Sequence, residues 1–228
     1  MENYCNQNNY VSEARIRAVF KRTYLYMVAA LVISGGLAYV VASSMSEELF
    51  VLCPICVVLE FIVLIAGSVS IRKRKTGLAK FLFFFYSVLN GASMSYIFII
   101  YDLGSVTSIF FVTAITFAVL AIIGSVTKKD LTTIGRVGLM ALIGVIVASI
   151  VNIFVGSSVL DLGITILGLA LFIGITAYDA QKIKKLAMLT DMSIENIALF
   201  GAFELYLDFV NIFIRLLSLF GGGRISRD

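Results

Sequence analysis

The sequence contains no histidine, one proline and three cysteines in 228 residues, and only 14% of it is charged. Each shortage removes a class of explanation. Without an imidazole, any pH response near neutrality must fall to carboxylates. Cys53 and Cys56 form a CxxC, but no histidine can complete a common zinc site around them. In an apolar segment they read as small buried hydrophobes rather than a thiol switch. Cys5 reads as a reduced thiol in a cytoplasmic tail. A soluble domain is about 25% charged and roughly 45–50% apolar. This chain is 60% hydrophobic, with a mean hydropathy of +1.02. That composition excludes an ordinary soluble globule, a disordered chain and a nucleic-acid binder. The net charge of +4 matters less than where the charges sit.

What the sequence has instead is long apolar runs between short polar breaks. Seven spans are predicted, over Thr23–Val41, Phe50–Ile71, Leu78–Tyr101, Val106–Val126, Val137–Val155, Val159–Ala180 and Ile197–Phe220. Each can cross a ~30 Å hydrocarbon core as a helix. A helix satisfies its own backbone hydrogen bonds in lipid. The runs lack the period-two alternation of a transmembrane barrel. The expected class is an all-α membrane protein. A cytoplasmic segment (1–22) would precede a seven-helix domain (23–220) and a short tail (221–228). Pro54 in the second span is expected to remove a helix hydrogen bond and bend that helix. Gly221–Gly223 reads as the end of the last helix, not a phosphate loop.

Lysine and arginine alternate by loop. Arg15, Arg17, Lys21 and Arg22 precede the first span, and Arg72–Lys75 fill the second loop. Lys128, Lys129 and nearby Arg136 mark the fourth loop, and Lys182, Lys184 and Lys185 the sixth. The odd loops have none; the first carries Glu47 and Glu48, the third Asp102. Basic loops stay in the cytoplasm, so the N-terminus is expected inside and the C-terminus outside. Arg224 and Arg227 in the tail dissent mildly. The plain N-terminal segment favours a bacterial plasma membrane, with no secretory cleavage pattern.

A charge inside a span is costly, which makes it a functional candidate. The last span carries Glu204, Asp208, Asn211 and Arg215, spaced four, three and four residues apart. At helical pitch they fall within about 60° of one another. Such a stripe should face other helices or water. Arg215 could neutralise Asp208 or Glu204, and Asn211 could bond across helices. In the sixth span Asp161, Thr165, Gly168, Thr176 and Asp179 share one face, with Asp161 at its outer mouth. Asp179 forms a compact polar cluster with Tyr178 and Gln181. Glu60, in the middle of the second span, is protonated or paired with a cation such as Arg72 or Arg215. Carboxylates crowded in low dielectric do not all ionise, and a pair can share one proton and titrate as a unit. Deprotonated, the pair offers hard oxygens suited to Ca²⁺. Protons and divalent cations should compete for it.

The same residues carry a resemblance. Thr176–Lys184 reads TAYDAQKIK, Leu205–Leu217 reads LYLDFVNIFIRLL, and Phe220–Arg224 adds FGGGR. These stretches resemble the Bax inhibitor family, the transmembrane Bax-inhibitor-motif proteins, and its bacterial members in particular. The resemblance implies a seven-helix bundle with the last helix central. It also implies a calcium leak gated by an aspartate pair acting as pH sensor, matched here by Asp179 and Asp208. A glutamate of the second helix and an arginine from its basic end contribute in similar proteins. Glu60, in VVLEF, matches the first; Arg72 is the best match to the second, with Arg74 the other arginine at that end. Glu204, Asn211 and Arg215 complete the supporting polar network. No enzyme activity and no cofactor is expected. Ca²⁺ enters as permeant or bound ion, held by Asp179 and Asp208. The expected partners are the bilayer, Ca²⁺ and protons, with the chain a monomer.

One geometric point does not follow from the span limits. They place Asp179 at the inner boundary and Asp208 about eleven residues into the last span, a depth mismatch of roughly 15 Å. Three rival readings stand beside the leak. A proton-coupled transporter would use the same carboxylates, but repeated halves and broken helices are not evident. A regulatory protein would act through membrane partners, in cell death or on membrane proteases. An intramembrane aspartyl protease would need a GxGD context where Asp208 has LYLD, and a PAL tripeptide that is absent.

Overall fold

The computed structural model describes the backbone of residues 2–44 and 52–222, and the side chains of 12–44 and 55–222. Glu47, Glu48, Arg224 and Arg227, and the side chains of Cys5, Cys53 and Pro54, lie outside the described residues. Every extended element among the described residues is a helix. They are α1 (Glu2–Ser43), α2 (Leu52–Arg72), α3 (Thr76–Ser93), α4 (Ile97–Ile100), α5 (Leu103–Val126), α6 (Thr132–Val155), α7 (Ser158–Leu189) and α8 (Ile194–Phe220). A 3₁₀ turn over Met94–Tyr96 joins α3 to α4, and together they make one span. Seven helices are then long and apolar enough to cross a membrane, from Ser12–Ser43 to Ile194–Phe220.

The helices outrun the apolar runs where polar residues continue a one-faced pattern. In α1 the buried positions Val19, Thr23, Met27 and Ala30 recur at helical spacing, while Arg17, Lys21 and Arg22 face out. In α7 the tail Gln181–Leu189 buries Ile183 and Ala187 and exposes Lys185 and Met188. Good helix formers fill the α7 extension, QKIKKLAML. Pro54 falls in the first turn of α2, where its missing N–H costs no helix bond. The bend expected there is not needed.

Two compact units share the chain. The first comprises residues 1–100 and 183–206, the second residues 101–182 and 207–228. In the first unit α3 packs against α1 and α2, and α8 meets all three. Phe83 of α3 lies 4.8 Å from the Phe203 ring, and Gly67 of α2 takes the tip of Phe203. Thr23 of α1 donates to the Ala198 carbonyl. In the second unit Phe110 and Phe117 of α5 meet Phe209 of α8 edge to face. The apolar window of α8 is 72% buried, against 11% for α6, so α8 is buried nearly all round. Large apolar side chains stand exposed on the other long helices, as lipid-facing surfaces require.

Two ends are closed by local chemistry. Arg74 takes a left-handed φ of 57° and turns the chain from α2 into α3. Asp102 caps α5: its carboxylate accepts from the Ser105 hydroxyl (2.6 Å) and the Ser105 N–H (2.9 Å). Those bonds hold the exposed Asp102 carboxyl below its ordinary range. The cap is therefore complete at neutral pH and is lost only as pH falls through that lowered value.

Candidate functional site

In the first unit, Glu60 of α2 is buried against α3. Its carboxylate accepts from Ser93 Oγ (2.5 Å) and Asn90 Nδ2 (3.2 Å), and Tyr86 also presents its hydroxyl. Tyr206 of α8 donates to Asn90 Oδ1 (2.8 Å). Tyr86, Asn90 and Ser93 lie at i, i+4 and i+7, one stripe of α3. The partners described for Glu60 are therefore neutral hydroxyl and amide groups. Arg72, one of the two candidate cations for a charged Glu60, lies exposed at the end of α2, twelve residues or about 18 Å of helix away. Sequence reasoning missed Tyr86, Asn90, Ser93 and Tyr206; the spacing of the first three along α3 was the available signal.

Glu60→Leu strands the Asn90 amide and leaves the Ser93 hydroxyl only the Asn90 carbonyl (3.1 Å), whereas Glu60→Gln keeps an acceptor there. Interhelical hydrogen bonds in membranes average about 0.6 kcal/mol, with a maximum of about 1.7. The Leu variant is expected to lose about 1–3 kcal/mol relative to Gln in detergent unfolding. A Leu variant as stable as Gln would contradict that network.

In the second unit, α7 carries Asp179 in a tightly packed stretch. A Cβ on Gly124 of α5 would stand 2.0 Å from the Ala177 carbonyl oxygen. A Cβ on Gly135 of α6 would stand 2.5 Å from the Tyr178 ring. Gln181 binds the loop between α5 and α6: it accepts from Leu131 N (2.9 Å) and donates to the Lys129 carbonyl (2.8 Å). These three neighbours fix the turn that holds Asp179. Asp179 is 3% exposed, and Lys182, one turn on, lies 3.8 Å from its Oδ1. On the same face Thr165, Gly168 and Thr176 are buried, while Asp161 is exposed in the first turn of α7.

The α8 stripe divides by burial. Asp208 is 3% exposed, and Glu204 and Asn211 are half-buried. Asn211 donates to its own helix, at the Leu207 carbonyl (2.9 Å). Arg215 lies on α7. It donates to the Ile164 carbonyl (3.1 Å), and its guanidinium is 5.5 Å from the Phe172 ring centre. A Cβ on Gly168 would meet that guanidinium at 2.0 Å. Ile164, Gly168 and Phe172 follow at i, i+4 and i+8, so one face of α7 forms the arginine's bed.

Gly168→Val should therefore evict Arg215 and cost about 1–3 kcal/mol, the usual penalty of overpacking. In an Arg215→Leu background the flexible guanidinium is gone, and most of that loss should vanish in a double-mutant cycle. Additive losses would contradict the bed.

The extension of α7 changes the depth arithmetic. Asp179 precedes the end of α7 by ten residues, and Asp208 follows the start of α8 by fourteen. Counted from the turn that joins these helices, the two differ by about four residues, or roughly 6 Å. The boundary mismatch of the apolar runs came from ending the sixth span at Ala180. Among the described residues no group of three or more His, Cys, Asp or Glu could hold a metal ion.

Seven membrane-crossing helices with buried carboxylates in both units define a polytopic membrane protein whose polar chemistry lies within its spans. The chain belongs to the Bax inhibitor family: the family model described as inhibitor of apoptosis-promoting Bax1 matches residues 16–225. It is 35% identical over 220 residues to the inner membrane protein YbhL of Escherichia coli K12, covering 92% of this chain and 94% of that one. A protein of Deinococcus radiodurans is 36% identical over 209 residues, covering 90% of each. A membrane protein of Streptococcus pyogenes serotype M1 is 37% identical over 165 residues, covering 72% of each.

Proposed function

We propose that the protein is a pH-sensitive calcium leak of a bacterial inner membrane, gated by a proton shared between Asp179 and Asp208. The observation that carries the reading is the burial of both carboxylates, each 3% exposed, in the same unit of a membrane protein without histidine. Two such groups in low dielectric do not both ionise freely, and their titration is a joint event. Neutral, the pair is a hydrogen-bonding contact between α7 and α8. Ionised, it repels itself or takes up a hard cation. Two carboxylates supply only part of the six to eight oxygens Ca²⁺ prefers, so water and backbone complete the shell. Weak, incomplete coordination is what a permeating ion requires. Within the first unit Glu60 ties α2 to α3, and within the second Arg215 ties α8 to α7; Glu204 and Asn211 share the α8 stripe, and Arg72 lies at the basic end of α2. The loop charges put the N-terminus and the Arg72–Lys75 run in the cytoplasm, with the C-terminus outside.

The test is Ca²⁺ entry into proteoliposomes across a pH series, wild type beside Asp208→Asn. A pH-dependent flux that Asp208→Asn shifts or removes is expected. No flux above empty liposomes would refute the leak.

A regulatory role through partners is favoured by one observation, the description of the matching family model as an inhibitor of apoptosis-promoting Bax1. Co-purification of a stoichiometric membrane partner, with no flux from the protein alone, would establish it instead.

A further inference from the structure

We propose that the first unit carries a binding site for an anionic phospholipid, with the acyl chain in a groove between α1 and α3 and the phosphate beside Lys80. The groove is about 450 Å³, within the usual range for ligand sites. Ile33 of α1 and Phe84 and Val88 of α3 line it. Phe81 and Phe85 form one wall, their rings stacked 6.0 Å apart and nearly parallel. Phe81 is 64% exposed, so the wall is an apolar slot open to the bilayer.

The charge lies at one end. Lys80 lines the groove, and its ammonium is held in place by the Tyr26 hydroxyl (3.0 Å) and over the Tyr26 ring (4.8 Å). Glu195 Oε1 lies 3.7 Å from Lys80 and accepts from the Tyr26 hydroxyl, while Oε2 pairs with Arg22 at 2.5 Å. One carboxylate between two cations leaves a net positive charge. The side chains of Lys80 and Arg22 stay 46% and 52% exposed. The exposed run Arg72–Lys75 immediately precedes this end of α3. A zwitterionic lipid would fill the apolar slot equally well. An anionic one gains the basic end, so charge complementarity selects it.

Gly77 keeps the mouth open. It lines the groove, and a Cβ there would meet nothing within 4 Å. A larger residue at this position would fill the slot without displacing protein.

The chain has no tryptophan, so one introduced indole reports alone. Phe81→Trp places it in the groove; Ile143→Trp places it on the exposed face of α6, where it reports ordinary surrounding lipid. Both variants go into bilayers doped with brominated phosphatidylglycerol or brominated phosphatidylcholine, whose chains quench indole fluorescence. At Phe81→Trp, half-quenching by the glycerol lipid is expected at about fivefold lower mole fraction, the factor for one cation at an anionic surface. At Ile143→Trp the two lipids should quench alike. Adding Lys80→Met or Gly77→Leu to Phe81→Trp should abolish the preference. Equal quenching at Phe81→Trp, the same preference at Ile143→Trp, or a preference surviving both added substitutions would overturn the site. None of these readouts depends on ion conduction.

Discussion

Replacing Asp179 and Asp208 together by asparagine is expected to leave a Ca²⁺ flux that no longer varies with pH. Asparagine matches the size of a neutral aspartic acid and cannot ionise. Both positions are buried, so a neutral amide keeps the packing while the titration is removed. In the wild type one exchanging proton changes the population of a state by at most about tenfold per pH unit. In the double variant that factor falls to about one. Lys182 and Glu204 stay in place, so a residual slope of wild-type size would assign the titration to them. On the proposed reading the single variants should not simply add, because two carboxylates that share a proton titrate as one.

Gly124→Val is expected to have the largest effect on folding. Its first added carbon would sit 2.0 Å from the Ala177 oxygen, 2.7 Å from its carbonyl carbon and 2.9 Å from its Cα. All three are backbone atoms of α7, so no rotamer change relieves the clash. Overpacking typically costs about 1–3 kcal/mol, and a contact against backbone belongs at or beyond the top of that range. Close helix approach through small residues is how membrane helices associate. Separating α5 from α7 at Ala177 also disturbs Asp179, two residues on. Gly144→Val is the matched control: its Cβ meets nothing within 4 Å, and its unfolding midpoint should stay near wild type. Equal midpoints for both variants would refute the close approach of α5 and α7.

The architecture was readable because lipid imposes one rule on every span. Seven apolar runs became seven membrane-crossing helices, with ends displaced where a polar but one-faced segment continued the helix. The Gln181–Leu189 extension is the consequential case. Its lysines end the hydropathy signal, yet Ile183 and Ala187 keep it packed, and Asp179 gains ten residues of helix beyond it. Charged residues inside spans announced themselves by their cost, which is why Glu60, Asp179, Asp208 and Arg215 stood out. Their partners did not. Tyr86, Asn90 and Ser93 are neutral and unremarkable singly; only a known neighbour makes their spacing meaningful. The bed of Arg215 on Gly168 was equally hidden, since a glycine records what must pack against it only once two helices meet.

The central claim is that protons and Ca²⁺ compete for one buried carboxylate pair, and competition is read most directly as proton release. Ca²⁺ is added to purified protein in weakly buffered detergent solution across a pH series, and the released protons are titrated for wild type and for the Asp179→Asn, Asp208→Asn variant. The expected result is release from the wild type that passes through a maximum with pH, and none from the double variant. Ca²⁺ binding with no proton release, or equal release from both proteins, would contradict the claim.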